Sequence, residues 1–175
     1  MSIPIFEDIM EEQVGLIPKI EINANVSRKP TFGWGNSPAL RKYLDQLQEK
    51  HNPLVWSLPL KTVPAPAEGM LRRPVHLNLC AVEENTELLN GVRLNPDRSF
   101  KKVLFPLWEQ IRRRFELSSI TMIEEEPAFL LSPDYKIVDR VAGNAVDKNE
   151  AQFFWDVLRV EFTVDYSTEY TPCNN

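Results

Sequence analysis

Glycine is scarce in this chain, at 6 of 175 residues, and that scarcity excludes the glycine-rich loops that cradle phosphate groups. Histidine and cysteine are scarcer still, at two each, so the sequence offers neither a zinc-ligand spacing nor a disulfide framework. Cys80 falls in an apolar run and Cys173 in a polar tail, a usage that fits a reducing compartment. Nowhere do apolar residues run long enough to cross a bilayer, and Met1 to Met10 carries Glu7 and Asp8 with no basic leader. The expectation is a chain made in the cytoplasm with no membrane partner. Excess positive charge is also missing. The net charge is −5, which argues against nucleic acid as the main partner, because phosphate binding needs a basic surface, and no sequence-specific nucleic-acid contact is expected. Arg112, Arg113 and Arg114 form a local basic run that suits the C-terminal end of a helix.

What is abundant is proline, at 14 residues scattered along the chain. Prolines at such spacing mark extended connections between short elements. With 43% hydrophobic and 26% charged residues, the chain has the composition of a globular domain large enough to bury a core without metal or disulfide support.

Hydrophobic spacing locates the elements. Ile5, Phe6, Ile9 and Met10 fall at helical spacing, with Glu7, Asp8, Glu11 and Glu12 on the other side, and Gly15 and Pro18 end the pattern. Lys19 to Trp34 reads as an extended arm. Asn36-Ser37-Pro38 is a helix start, and Leu40, Tyr43, Leu44 and Leu47 continue it until His51-Asn52-Pro53. Leu54 to Leu58 predicts a short strand, and Pro59 to Pro74 a long aperiodic loop. Val75 to Val82 alternates as a strand. Phe100, Val103, Leu104, Leu107, Trp108, Ile111 and Phe115 form one helical stripe with Pro106 inside it, which predicts a kink or a late start. Further strands are expected within Ile120 to Leu131, at Tyr135 to Val138 and from Trp155 to Tyr166. The order predicts an α+β fold: an antiparallel or mixed sheet with helices packed on one face. The body is expected to span residues 36–166, with an N-terminal helix and arm at 1–35 and a tail at 167–175.

Candidate chemistry is thin. His51 and His76 lie in different elements. Glu124-Glu125-Glu126 would alternate sides in a strand and cannot converge on one ion. Asp97, Asp134 and Lys136 make a loose nuclease-like set, in which carboxylates would hold metal ions and a lysine would orient water, but Asp97 equally suits the start of a helix. No catalytic, cofactor-binding or metal-binding residue is assigned, and the chain is not expected to be an enzyme. The residues singled out are candidate contacts with other subunits: Ile5, Phe6 and Ile9 in the arm, Phe32 and Trp34 in a glycine-flanked aromatic run, and Val63 and Met70 in the proline-rich loop.

An ordered set of short signatures spans Asn36 to Tyr166. They are Asn52-Pro53-Leu54-Val55-Trp56, Val75-His76-Leu77-Asn78-Leu79-Cys80-Ala81, the proline-bearing helix Phe100-Lys101-Lys102-Val103-Leu104-Phe105-Pro106-Leu107-Trp108, Asp139-Arg140, and Trp155-Asp156-Val157-Leu158-Arg159-Val160. In this order the chain resembles a group of small phage structural proteins, seen mostly in phages of Bacteroidota. That group is similar in layout to tail-terminator and tail-completion proteins. The resemblance implies a virion subunit in a ring of six copies, or twelve nearer the portal, in contact with neighbouring neck or tail proteins. Residues 1 to 35 and the proline-rich loop lie outside it. A tail-tube or baseplate adaptor, or a non-viral protein-binding module, are the alternative expectations.

Overall fold

In the computed structural model, residues 5–23, 25–46, 52–85, 88–89, 92–93, 98–123, 126–138 and 152–169 are described. The fold is α+β and is organised by two long strands, β6 (Met70–Asn85) and β11 (Gln152–Ser167). They pair antiparallel along their whole length, from Met70 opposite Ser167 to Asn85 opposite Gln152. Shorter strands extend this ladder on both sides. On the β6 side lie β4 (Leu54–Ser57), antiparallel to β6, and then β3 (Thr31–Trp34), parallel to β4. The two-residue β5 (Val63–Pro64) pairs further along β6. On the β11 side lie β10 (Ala128–Val138) and β9 (Ile120–Met122), both antiparallel to β11. The path across the sheet is therefore β10-β11-β6-β4-β3. Two small hairpins stand apart: β1 (Ile20–Asn23) with β2 (Val26–Arg28), and β7 (Leu88–Leu89) with β8 (Val92–Arg93).

The registers align into rows that cross the sheet from edge to edge. One row is Phe129, Val160, Leu77, Ser57 and Trp34; the next is Leu130, Arg159, Asn78, Trp56 and Gly33. A third is Leu131, Leu158, Leu79, Val55 and Phe32, and a fourth Ser132, Val157, Cys80, Leu54 and Thr31. Because side chains alternate between faces, successive rows point to opposite sides of the sheet.

Each face carries its own core. On one, Val75, Leu77, Leu79 and Ala81 of β6 and Leu158, Val160, Phe162, Val164 and Tyr166 of β11 meet two helices. The first is α1 (Phe6–Gly15), whose Phe6, Ile9, Met10, Gln13 and Val14 are buried at positions i, i+3, i+4, i+7 and i+8. Glu7 and Asp8 in its first turn favour the helix dipole. The second is α3 (Phe105–Glu116), which buries Leu107, Trp108, Ile111 and Phe115. A π-helical turn, Phe100–Leu104, leads into it, and the Phe105 N–H donates to the carbonyl five residues back at Phe100. Pro106 has no N–H to give to Lys102, and the wide turn ahead of α3 places it at a helix start, where the missing donor is tolerated.

The other face is not bare. Leu40 and Leu44 of α2 (Ser37–Gln46) pack with Leu54, Trp56, Cys80, Val82, Trp155 and Val157. Asn36 caps this helix, its side-chain oxygen accepting from the Ala39 N–H at 2.9 Å. The expectation of helices on one face is thus corrected: the stripe Leu40–Leu44 is narrow, and it meets the two inward tryptophans on the opposite side.

The boundary expected at residue 35 does not hold either. β3 belongs to the main sheet, and α1 supplies Phe6, Ile9 and Met10, all fully buried, to the main core. Glu7, placed on the solvent side by periodicity, instead turns inward. Arg73 of β6 donates to both of its carboxylate oxygens, through Nη1 at 2.9 Å and through Nη2, and Nη2 also reaches the Leu58 carbonyl at 3.2 Å. The guanidinium carbon lies 5.0 Å from the centre of the Phe6 ring. Both partners of this ion pair are buried.

Pro74, inside β6, is accommodated by the gap between β5 and β4. Met70 and His76 turn their carbonyls to that edge, accepting from Ala65 and Leu58, so the missing N–H of Pro74 points into the gap. A second buried polar pair closes the far end of the ladder, where the Ser99 hydroxyl donates to Asp156 at the entry of the π turn.

Truncating one member of a buried ion pair strands the other, at a cost of about 3–5 kcal/mol. Glu7→Ala should lose about that much stability in urea titration, whereas Glu11→Ala, exposed on the same helix, should change it by less than about 0.5 kcal/mol.

Candidate interaction surface

The structure divides the seven candidate contact residues. Phe6 and Ile9 are fully buried in the chain's own core, so their assignment to an interface is corrected: α1 has a sheet of its own to cover. Ile5, Trp34 and Val63 are exposed, and Phe32 and Met70 are half-buried. Phe32 leans on the main core, and Trp34, two residues on along the same strand face, stands 53% exposed at the edge.

The glycines around these aromatics serve a different purpose from presenting Trp34. Trp56 lies flat against β3, directly opposite Gly33. A Cβ at Gly33 would come within 2.7 Å of its ring, and one at Gly35 within 3.0 Å. The indole N–H donates to the Gly35 carbonyl at 2.9 Å, and Tyr43 of α2 tilts onto the ring at 5.2 Å between centroids. Gly35 also holds a φ of +149°, which side-chain-bearing residues rarely adopt.

Sequence reasoning missed a run of exposed apolar residues. In β10 three consecutive residues, Phe129, Leu130 and Leu131, are 43%, 57% and 45% exposed. Phe129 and Leu131 pair with Val160 and Leu158 and so share the α3 face, where Phe129 lies edge-on to Phe105 at 5.6 Å and to Trp108 at 6.2 Å. Leu130 points to the opposite face. Beyond Ser132 the register shifts until Lys136, a bulge that contains Pro133 and blunts that part of the edge. The Ala128–Ser132 stretch has no such protection, and among the described residues nothing pairs with its outer side. The run was legible as apolar, but nothing in it distinguishes an edge strand from an inner one.

Next to this edge, a groove of about 400 Å³ separates α3 from β9, lined by Arg112, Phe115, Ser118, Ile120 and Met122. Arg112 and Arg113 are exposed, Arg112 pairing with Glu109 at 3.4 Å, while Arg114 donates to Gln13 of α1 at 3.1 Å.

The sheet face opposite α1 and α3 is polar beyond the reach of α2. Arg72 grips Asp165 with two hydrogen bonds, 2.8 and 2.9 Å, and their bonding holds the Asp165 carboxyl below the ordinary carboxylate range. Arg159 binds Glu161 at 3.0 Å and donates to Nδ1 of His76 at 3.1 Å, leaving the imidazole proton on Nε2. Burial lowers the His76 pKa, Glu161 raises it and Arg159 lowers it, the net direction being down. The Arg159 bond ties His76 into this polar ladder. Burial raises the Cys80 thiol far above its usual pKa, which leaves it unreactive.

The nuclease-like set falls outside the described residues: Asp97 lies outside them, as do the side chains of Asp134 and Lys136 in β10. So do His51, Glu124, Glu125, Asp139, Arg140 and Cys173. Among the described residues no group of three His, Cys, Asp or Glu side chains is placed to hold a metal ion, and no helix is long and apolar enough to cross a membrane. No protein-family model and no curated protein matches the sequence.

Two outcomes follow from this geometry. Gly33→Ala should destabilise the chain by about 1–3 kcal/mol, since the Trp56 ring must give way, and Trp56→Leu should make the same change cheaper in a double-mutant cycle. A carboxyl whose folded pKa is depressed adds stability above its unfolded pKa and loses it as pH falls through the folded one. Thermal unfolding midpoints of the wild type and Asp165→Asn should therefore differ at neutral pH and converge as pH drops below about 4.

Proposed function

We propose that this chain is a structural subunit of a phage neck or tail, assembling as a ring at the head-tail junction in the manner of tail-terminator and tail-completion proteins. The observation that carries the assembly part of this reading is the apolar edge of β10, unpaired among the described residues, because an unprotected strand with Phe129, Leu130 and Leu131 exposed is what soluble monomers avoid. The phage part rests on the ordered signatures from Asn52-Pro53-Leu54-Val55-Trp56 to Trp155-Asp156-Val157-Leu158-Arg159-Val160. A net charge of −5 suits a ring through which DNA passes without sticking. In this reading the chain is not an enzyme: it takes no cofactor, and its partners are copies of itself and the neighbouring virion proteins.

Native mass spectrometry and negative-stain imaging of the purified full-length chain test the proposal. Closed rings of six or twelve copies are expected. Open stacks or tubes would favour a tail-tube or baseplate adaptor, and a monomer at every concentration would overturn the ring.

A further inference from the structure

The hydrogen-bonding direction of each strand can be followed across the whole sheet. N–H and C=O of one residue point to the same side, and the side alternates along a strand. The Leu58 N–H donates to the His76 carbonyl, so even-numbered β6 residues face β4 and odd-numbered ones face β11. Carrying this alternation through the registers, Ala128, Leu130 and Ser132 face β11, and Phe129 and Leu131 turn their backbone groups outward. At the opposite edge, Thr31 and Gly35 donate toward β4, to the carbonyls of Pro53 and Ser57, so Phe32 and Trp34 turn theirs outward. Each edge thus offers two residues with outward backbone groups, and their side chains lie on the same face, that of α1 and α3.

From this geometry we infer that β10 of one copy pairs with β3 of the next, joining the sheets of successive subunits into one continuous ladder. The polarity fits. β10 and β3 run in opposite directions within one sheet, so a rotation about an axis along the strands brings them together antiparallel. So does the register. Full overlap of residues 31–35 with 128–132 sets Trp34 opposite Phe129, Gly33 opposite Leu130, Phe32 opposite Leu131 and Thr31 opposite Ser132. These are the two ends of each of the four rows already described, so every row rejoins itself with no climb along the strands. Absence of climb is what separates a closed ring from an open helical filament. The outward residues coincide in this register, and aromatic side chains meet aromatic or branched ones on the helix face. Leu130, on the other face, meets the one residue without a side chain.

At ~4.8 Å per strand, five strands per copy give a sheet cylinder of about 46 Å for six copies and about 92 Å for twelve.

This contact deepens the ring proposed above and rests on it. Thr31→Cys with Ser132→Cys, in a Cys173→Ser background that leaves the buried Cys80 in place, tests it on the full chain. Both substitutions are small for small, and the two positions form a non-hydrogen-bonded pair, whose side chains approach most closely. Mild oxidation should give a covalent ladder rising to the ring size, while each single variant stays uncrosslinked. A second variant, Leu131→Pro, removes an outward N–H and breaks no hydrogen bond of the β10–β11 ladder. It should keep the wild-type thermal midpoint of the monomer yet raise the concentration for half-assembly at least tenfold. Rings without a ladder, or rings unaffected by Leu131→Pro, would overturn the edge contact and spare the ring. Absence of both rings and ladder would sink the ring itself.

Discussion

The antiparallel pairing of β6 with β11 is the constraint on which the rest of the chain depends. It joins residues 70–85 to residues 152–167, so the π turn, α3, β9 and β10 all lie within the loop it closes. Every other strand of the main sheet is attached to one of these two except β3, which pairs with β4, and both cores are built on their opposite faces. Such a ladder makes its loop-closure cost large and its reward late, which sets the fold among those dominated by non-local contacts. The buried polar pairs fall at the two ends of this ladder. Arg73–Glu7 locks α1 onto one end, and Ser99–Asp156 sets the entry to α3 at the other. A buried pair adds little net stability compared with apolar packing, but it fixes which helix lies where, because any other placement strands a charge.

Much of the local structure was legible because local rules determine it. Asn36-Ser37-Pro38 predicts a helix start through its cap and proline, and the observed cap bond comes from Asn36. The stripe from Phe100 to Phe115 predicts a helix, and Pro106 predicts the irregularity that the π turn provides. The alternation of Leu158, Val160, Phe162, Val164 and Tyr166 predicts the core face of β11.

What was not legible depended on partners far away in sequence. Glu7 sits in an acidic run and reads as solvent-facing until Arg73, 66 residues on, is known to lie beneath it. Gly33 and Gly35 read as hinges around an exposed Trp34, whereas their meaning comes from Trp56. The face taken by α2 could not be read from Leu40, Tyr43, Leu44 and Leu47, because an amphipathic helix fits either side of a sheet. Phe6 and Ile9 show the commonest error of this kind: an amphipathic terminal segment has the same pattern whether it covers its own core or a neighbour's. In the candidate site the same limit applies, since Ala128-Phe129-Leu130-Leu131 reads equally well as an inner strand and only the topology makes it an edge.

That topology also bears on why one stretch of edge is guarded and another is not. Along β10 the segment around Pro133 carries the two usual deterrents to strand addition, a proline and a bulge, and both lie beyond the last of the straight rows. If the edge were merely tolerated, the same devices would be expected on Ala128–Ser132, where apolar side chains make pairing most costly to leave open. Instead the protection stops where the rows begin. At the other edge β3 is four residues long and stops at Gly35, whose positive φ turns the chain away. The two unguarded stretches therefore match in length, in face and in outward backbone groups. In the proposed ring they satisfy each other, and an exposed strand of this composition ceases to be a hazard to its own solubility.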